Sequence, residues 1–343
     1  MTKKKKVKKK GELVIGNEKI LRGERKKVFL DVGSLYDYTQ LTIPIEVIRG
    51  KQDGPTLFIS AAIHGDEING IEIIKRLLKK PLINNIKGTL IAIPVVNVFG
   101  FNNRSRYLPD RRDLNRCFPG NLKGSLGSRL AKIFMNEIVS KCTHGIDLHT
   151  GAIHRTNLPQ IRASLDDPAT KELAECFGTP VVINSSLKDG SLREAARKKK
   201  VISLLFEGGE ALRFEEDVIK AGVKGCLSVM RNIGMTNKKV RTKKERHDVY
   251  IAQKSYWVRA PHSGSFRALV KVGSHVNEGD LLAEISDPFG ENSYKVISYG
   301  EGIVIGMSQI PLVNKGDAMV HIATFSDTTK VKSAINEFDD ILI

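Results

Sequence analysis

The chain has 343 residues, of which 41% are hydrophobic and 27% charged, with four cysteines and a formal net charge of +17. That composition excludes a collagenous, disulfide-stapled or wholly disordered protein, and no apolar run approaches the ~20 residues a membrane-spanning helix needs. The charge points first to nucleic acid, but seven of the 55 basic residues are lysines within the first ten positions, and without those seven the rest carries +10.

Domains run to roughly 100–200 residues, so this length predicts two. Residues 1–12 read as a disordered basic tail. No aromatic residues interleave with its lysines, so it lacks the stacking surface of a nucleic-acid site. Gly11-Glu12 follows the lysines where a secretory signal would place an apolar core, which predicts a cytoplasmic protein. Cys117, Cys142, Cys176 and Cys226 are widely spaced and form no C-x-x-C pair, so they read as reduced thiols.

Residues 13–237 read as one α/β region with an N-terminal β segment. Thr56–Ile63 is an apolar run behind Asp53-Gly54-Pro55, bounded like a buried strand. Ile68–Lys80 has apolar residues at helical spacing and stops before Pro81. Thr89–Val96 is a strand, Leu126–Val139 an amphipathic helix and Gly145–His149 a short strand. Asp167-Pro168 opens another helix, with the aspartate as N-cap and proline in the first turn. Pro180–Ile183 and Val201–Phe206 are β-branched-rich strands, and Glu215–Ile233 is a closing helix. Strands alternating with helices predict a largely parallel or mixed sheet flanked by helices.

A basic linker, 238–248, separates this region from residues 249–343, where short strands and frequent glycines replace helical periodicity. An internal repeat stands out: Val276-Asn277-Glu278-Gly279-Asp280 and Val313-Asn314-Lys315-Gly316-Asp317 each precede an apolar run. The arrangement resembles the barrel-sandwich fold of biotinyl and lipoyl carrier domains, in which two similar halves interlock. Carriers present a lysine in a hairpin, typically beside methionine or in Asp-Lys. Lys295 has neither context, so a structural or lid role is expected.

Four constellations carry chemistry. His64 and Glu67 lie three apart between a strand and a helix, where an imidazole and a carboxylate can face one metal ion at ~2.0–2.2 Å. The same pair also occurs in ordinary loops, where the acid simply favours a helix N-terminus. His149 ends Asp147-Leu148-His149 at a strand's carboxyl end, where open α/β sheets gather their sites. Asp147 shares its face and reads either as support for the histidine or as a plain loop acceptor. His144 and His154 are nearby competitors. Between Arg104 and Gly120, five arginines gather within thirteen residues (Arg104, Arg106, Arg111, Arg112 and Arg116), read either as an anion site or as a solvated loop. Finally, an apolar strand delivers Glu207 into the glycine-rich turn Gly208-Gly209, where a carboxylate can exchange protons or merely cap the turn, with Glu210 as its alternative.

Taken in order, His64-x-x-Glu67, Asp113-Leu114-Asn115-Arg116, Asp147-Leu148-His149 and Phe206-Glu207 resemble the succinylglutamate desuccinylase/aspartoacylase family, over about residues 45–330. That resemblance implies a zinc-carboxypeptidase-like fold and one zinc ion per chain held by His64, Glu67 and His149. It implies Asn115 and Arg116 as a pair that binds substrate carboxylate. Arg106, with Arg104 as rival, would polarise the scissile carbonyl, and Glu207 would be the general acid/base that works with zinc-activated water. The late tyrosine of carboxypeptidases has only Tyr250, Tyr256 and Tyr294 as candidates. The expected activity is hydrolysis of the amide of a small N-acyl amino acid. A metallocarboxypeptidase acting on peptides and a non-catalytic binding or carrier module are the alternatives, and cobalt or nickel suit the same ligands. The expected partner is a small acylated substrate rather than a membrane or nucleic acid, with room left for a homo-oligomer.

Overall fold

The structure, a computed structural model, describes residues 12–237 and 248–342. The expected tail at 1–12 and linker at 238–248 therefore lie, but for Glu12 and Asp248, outside the described residues. The chain opens with a short paired ribbon, β1 (Leu13–Ile15) and β2 (Glu18–Ile20), followed by a long hairpin, β3 (Arg25–Ser34) and β4 (Gln40–Arg49). In β3, Val28, Leu30 and Val32 are buried while Phe29 faces out, the period-two pattern of a ribbon with one covered face.

The central region runs through β5 (Thr56–Ala61), α1 (Asn69–Leu78), β6 (Thr89–Ile93), α2 (Val98–Asn102) and α3 (Leu126–Glu137). It continues with β7 (His144–His149), β8 (Arg155–Ala163), α4 (Pro168–Phe177), β9 (Val181–Asn184), α5 (Leu192–Lys198), β10 (Ile202–Gly209) and α6 (Glu216–Asn232). The strands and helices expected here are present, with ends within three residues of the sequence reading. Asp167 caps α4 by accepting from Thr170 N at 2.9 Å. β5 and β6 are largely apolar because both faces are covered. Phe58, Ile91 and Ile93 enter one core, while Leu57, Ile59, Leu90 and Ala92 enter the other, beneath α1 and α6.

The C-terminal region holds β11 (Tyr250–Ala252), β12 (Lys254–Arg259), β13 (Gly264–Ala268), β14 (His275–Val276) and β15 (Leu281–Ser286). β16 (Ser293–Ile297), β17 (Gly302–Ser308), β18 (Leu312–Val313), β19 (Ala318–Thr324) and a helix, α7 (Thr328–Leu342), complete it. The repeat is real in three dimensions. Asn277 N donates to Asp280 Oδ2 at 2.7 Å, Asn314 N donates to Asp317 Oδ2 at 2.8 Å, and Gly279 and Gly316 take φ of +85° and +93°. The halves interlock: β13 of the first pairs with β18 of the second, and β17 of the second with β14 of the first. Lys295 lies within β16 opposite Glu284, not at a hairpin tip.

One expectation for this region is corrected. Helical periodicity is not lost to the end of the chain, because Val331, Ala334, Ile335 and Phe338 follow helical spacing and are buried on one side of α7. Val331 and Ile335 pack with Leu158 and Val181, and Phe338 enters the core that holds α6.

A 13-stranded mixed sheet joins the two regions. Its main path is β12-β19-β17-β8-β10-β7-β5-β6-β4-β3. β5, β7 and β10 are parallel neighbours, so their carboxyl ends meet at one edge, with Ala61 level with Leu148 and Glu207 level with His149. β8 runs antiparallel to β10, and β17 pairs with its first residues. No helix among the described residues is long and apolar enough to cross a membrane.

Candidate metal centre

Ala62 leaves β5 with a φ of +52°, which turns the chain sharply off the sheet. Glu67 N then donates to His64 O at 3.1 Å, a tight turn that brings both side chains to one side just ahead of α1. Gly65 is required within it, since a Cβ there would lie 2.1 Å from the Gly100 carbonyl carbon. His149 is the last residue of β7, and its register beside β5 carries it to the same place.

The three residues expected as ligands meet there. His64, Glu67 and His149 are all buried, and their ligand atoms lie within 4.8 Å of one another. Glu67 Oε1 lies 2.7 Å from His64 Nδ1, and its Oε2 lies 2.7 Å from His149 Nδ1. The opposite ring nitrogens are held by other carboxylates: His64 Nε2 by Asp113 Oδ1 at 3.1 Å and His149 Nε2 by Asp147 Oδ2 at 2.7 Å. Asp147 is fixed in turn by the Ser60 hydroxyl, which donates at 2.8 Å. Each imidazole thus has a carboxylate behind it and turns Nδ1 inward, as imidazoles that ligate a metal do. Two nitrogens and one carboxylate suit zinc, and the residues present fit such an ion.

Charge in this cluster is strongly coupled. Burial alone would depress both imidazoles. The charges of Asp147 and Glu67 outweigh it at His149 and raise that ring well above the usual histidine value. The charge of Glu67, together with the ring's hydrogen bonds to Asp113 and Glu67, likewise raises His64. Burial would raise the Glu67 carboxyl, yet the charges of His64 and His149 hold it far below the ordinary carboxylate range. Asp113 is held low against its burial by His64 and Arg106.

Of the two rival arginines, Arg106 reaches the cluster. Its Nη1 donates to Glu67 Oε1 at 3.0 Å and its Nη2 to Asp113 Oδ2 at 3.1 Å, whereas Arg104 is exposed. Asp113 also accepts from Asn115 N at 2.8 Å, capping the short turn Leu114–Arg116. Asn115 is buried, with its Oδ1 accepting from Leu192 N at 2.9 Å, and Arg116 is exposed beside it. Glu207 stands level with His149 on the same face of the sheet. Its Oε2 accepts from Asn157 Nδ2 at 3.1 Å and lies 2.8 Å from Arg162 Nε.

The competitors lie elsewhere. His144 Nδ1 contacts the Thr143 hydroxyl, and the backbone N–H of His154 donates to Glu210, whose own N–H is bonded to Glu215. The Tyr250 and Tyr256 hydroxyls donate to Asp248 and to Gly300 O, and Tyr294 stacks on His262. The sequence reading missed three members of the site. Asp113 ties His64, Arg106 and the Asn115 turn together from 49 residues beyond His64, and the signal for it was its N-cap position ahead of Leu114-Asn115-Arg116. Asn157 and Arg162 hold Glu207 from β8, whose proline and polar residues give no clear strand signal in the sequence.

The family model for the succinylglutamate desuccinylase/aspartoacylase catalytic domain matches residues 53–233. The chain is 25% identical over 295 residues to an N-alpha-acetyl-L-2,4-diaminobutyric acid deacetylase of Halomonas elongata, covering 82% of this chain and 85% of that one. A succinylglutamate desuccinylase of Pseudomonas aeruginosa is 28% identical over 150 residues, 40% of this chain and 43% of the enzyme. Two solved structures share the fold. A succinylglutamate desuccinylase/aspartoacylase from Rhodobacter sphaeroides superposes with a TM-score of 0.79 at 24% identity, over 88% of this chain and 96% of its own. The product-bound ectoine utilization protein EutE from Ruegeria pomeroyi gives 0.78 at 24% identity, over 88% and 95%. The chain belongs to the succinylglutamate desuccinylase/aspartoacylase family.

Proposed function

We propose that this protein is a zinc-dependent deacylase that hydrolyses the amide of a small N-acyl amino acid. The observation that carries this reading is the pair of imidazoles that present Nδ1 to one buried carboxylate while Asp113 and Asp147 grip them from behind, with Glu207 level with His149. His64, Glu67 and His149 would hold the zinc ion. When bound, zinc supplies a Lewis acid for the carbonyl oxygen and brings the pKa of water from 15.7 toward ~7.

The chain's own groups divide the remaining work. Glu207 takes a proton from the attacking water and returns it to the leaving nitrogen. Its Asn157 and Arg162 partners fix the carboxylate's direction. Arg106, braced by Glu67 and Asp113, places a cationic donor where the carbonyl oxygen gains charge, a contribution of the kind worth ~3–4 kcal/mol. Asn115 and Arg116 hold a substrate carboxylate and fix the register of the amide. In this reading residues 13–237 form the hydrolase domain, and residues 249–343 close one flank of the site and restrict it to small substrates.

The test combines elemental mass spectrometry of the purified chain with a panel of N-acetyl and N-succinyl amino acids set against dipeptides. About one zinc per chain, lost in His64→Ala or His149→Ala, and cleavage of the acylated amino acids are the expected results. A chain that takes up no zinc, or one that cleaves only peptides, would refute the proposal.

A further inference from the structure

Past Glu207 the site face of the sheet carries a second set of buried polar side chains, with atoms that have no hydrogen-bond partner among the described residues. β8 is bulged there. Asn157 and Gln160 stand opposite Gly209 and Glu207, three steps of one strand against two of the other, so both lie on the face of Glu207. Gln160 is fully buried and sits directly across from Glu207, yet neither its Nε2 nor its Oε1 has a hydrogen-bond partner among the described residues. Buried polar atoms are almost always bonded, so both ends of one amide left open require a reason.

The same row runs on into the C-terminal strands. Asn157 is level with Gly306 of β17, Gly306 with His321 of β19, and His321 with Trp257 of β12. His321 is 5% exposed, and its Nδ1 is likewise unbonded among the described residues. Its ring stacks on Trp257 with centroids 4.5 Å apart, and the Arg155 guanidinium lies 5.1 Å from the Trp257 ring. Burial, and then the charges of Arg162 and Arg155, depress His321 to about 3, so the ring is neutral at physiological pH. Arg162 and Arg155 thus both act on His321, and the carboxylate directly across from Gln160, Glu207, is already taken by Arg162.

We propose that Gln160 and His321 form the floor, and Arg162 and Trp257 the half-buried walls, of a seat for the carboxylate or carboxamide end of the leaving amino acid, and that these residues select against substrates ending in an ammonium group. The inference rests on the deacylase reading: if Glu207 protonates the scissile nitrogen, whatever hangs from that nitrogen leads away from the metal ligands toward β8. An amide with its N–H and C=O both open complements a carboxamide or carboxylate. The net positive surroundings disfavour a second cation. A site built to hydrogen-bond one group also rejects analogues that leave its buried atoms unpaired.

The test is calorimetric binding of the amino-acid products to the full chain supplied with zinc, which requires no turnover. L-Glutamine and L-glutamate are compared with L-2,4-diaminobutyrate. The parent should bind the first two about tenfold or more tightly than the third. Gln160→Leu and His321→Phe should each erase most of that preference without changing zinc content, and Gln160→Glu should shift it toward the diamine. Equal affinities in the parent, a preference for diaminobutyrate, or a preference untouched in either variant overturns the seat. Should Gln160→Leu fail to fold, as judged by circular dichroism, Gln160→Glu and His321→Phe decide. Product selection without cleavage of any N-acyl amino acid would keep the seat and refute the deacylase reading. Cleavage without product selection would do the reverse.

Discussion

Two buried polar clusters share one face of the sheet and are built on opposite plans. Around His64, Glu67 and His149 both nitrogens of each ring are engaged, and two further carboxylates and an arginine close the network. One bulge away, Gln160 and His321 are equally buried but keep open atoms. A cluster whose outer contacts are all made holds its inward atoms rigidly, which suits a tightly bound ion. A cluster with open contacts is stabilised only when another molecule supplies them, which suits a substrate that comes and goes. Glu207 is the joint, level with His149 on one side and tied to Asn157 and Arg162 on the other.

Breaking the joint should have the largest effect. Glu207→Gln keeps the shape and the Asn157 contact but cannot take a proton, so kcat should fall by about 10²–10⁴. Zinc content by elemental mass spectrometry should stay at the parent level. A variant that retains parent-like turnover would separate Glu207 from the chemistry, and one that loses zinc would place it in the first cluster instead. Asp113→Asn probes the closed cluster alone. The amide can no longer hold the His64 Nε2–H as a charged acceptor, and its grip on Arg106 weakens. Zinc affinity, read by competition with a chelator, should drop about 10–100-fold.

Titration should sharpen the contrast, because the histidines of the two clusters respond to pH with opposite signs. In the chelated chain His64 and His149 have raised folded values, so the stability they contribute is complete below the unfolded value of ~6.5 and is lost as pH rises through the raised ones. Glu67 and Asp113 are depressed, so their contribution is present above ~4.3 and is lost as pH falls toward their folded values. The chelated chain should therefore melt highest between about pH 4.5 and 6.5 and lose Tm above that window, whereas zinc loading, which needs neutral imidazoles, should remove the alkaline decline. His321 acts the other way. With a folded value of about 3, it binds a proton in the unfolded chain first, so stability rises with pH across the interval from about 3 to ~6.5. Replacing it by phenylalanine should flatten that acid limb. An unchanged limb would show that His321 is not held neutral.

The closed cluster was far more legible in the sequence than the open one, and the reason is distance along the chain. His64 and Glu67 sit in one turn, and Asp147 and His149 on one strand, so local spacing placed each pair and the order of motifs joined them. Asp113 belongs to a legible motif, but its grip on His64 and Arg106 depends on a loop path that no periodicity encodes. The open cluster exists only because β17 pairs with β8 and thereby brings His321 of the C-terminal region into one row with Asn157 of the α/β region. That pairing spans about half the chain, and β8, with a proline and three long polar side chains, does not read as a central strand. α7 is a different kind of omission. Its apolar spacing was present from Val331 to Phe338, but the surrounding glycine-rich strands set the expectation for the whole tail.

The smallest effect should come from the point where the two clusters touch. Gly306 separates Asn157 from His321 in the row, and a Cβ there would lie 2.5 Å from Asn157 Oδ1. The obstructing atom is the end of a short side chain rather than backbone, so the Asn157 amide can rotate aside, and Gly306→Ala should leave Tm within a few degrees of the parent. Rotation would draw Nδ2 off Glu207 Oε2 and leave the carboxylate to Arg162 alone. One neutral hydrogen bond to a charged acceptor is worth about 1.5–3 kcal/mol, but Glu207 keeps its ion pair and part of its exposure, so kcat should fall only a few-fold. Binding of L-glutamine should weaken by a similar factor, because the displaced amide moves toward the seat. A loss in kcat with product binding untouched would mean that Asn157 serves Glu207 only and that the two clusters, though adjacent, work independently.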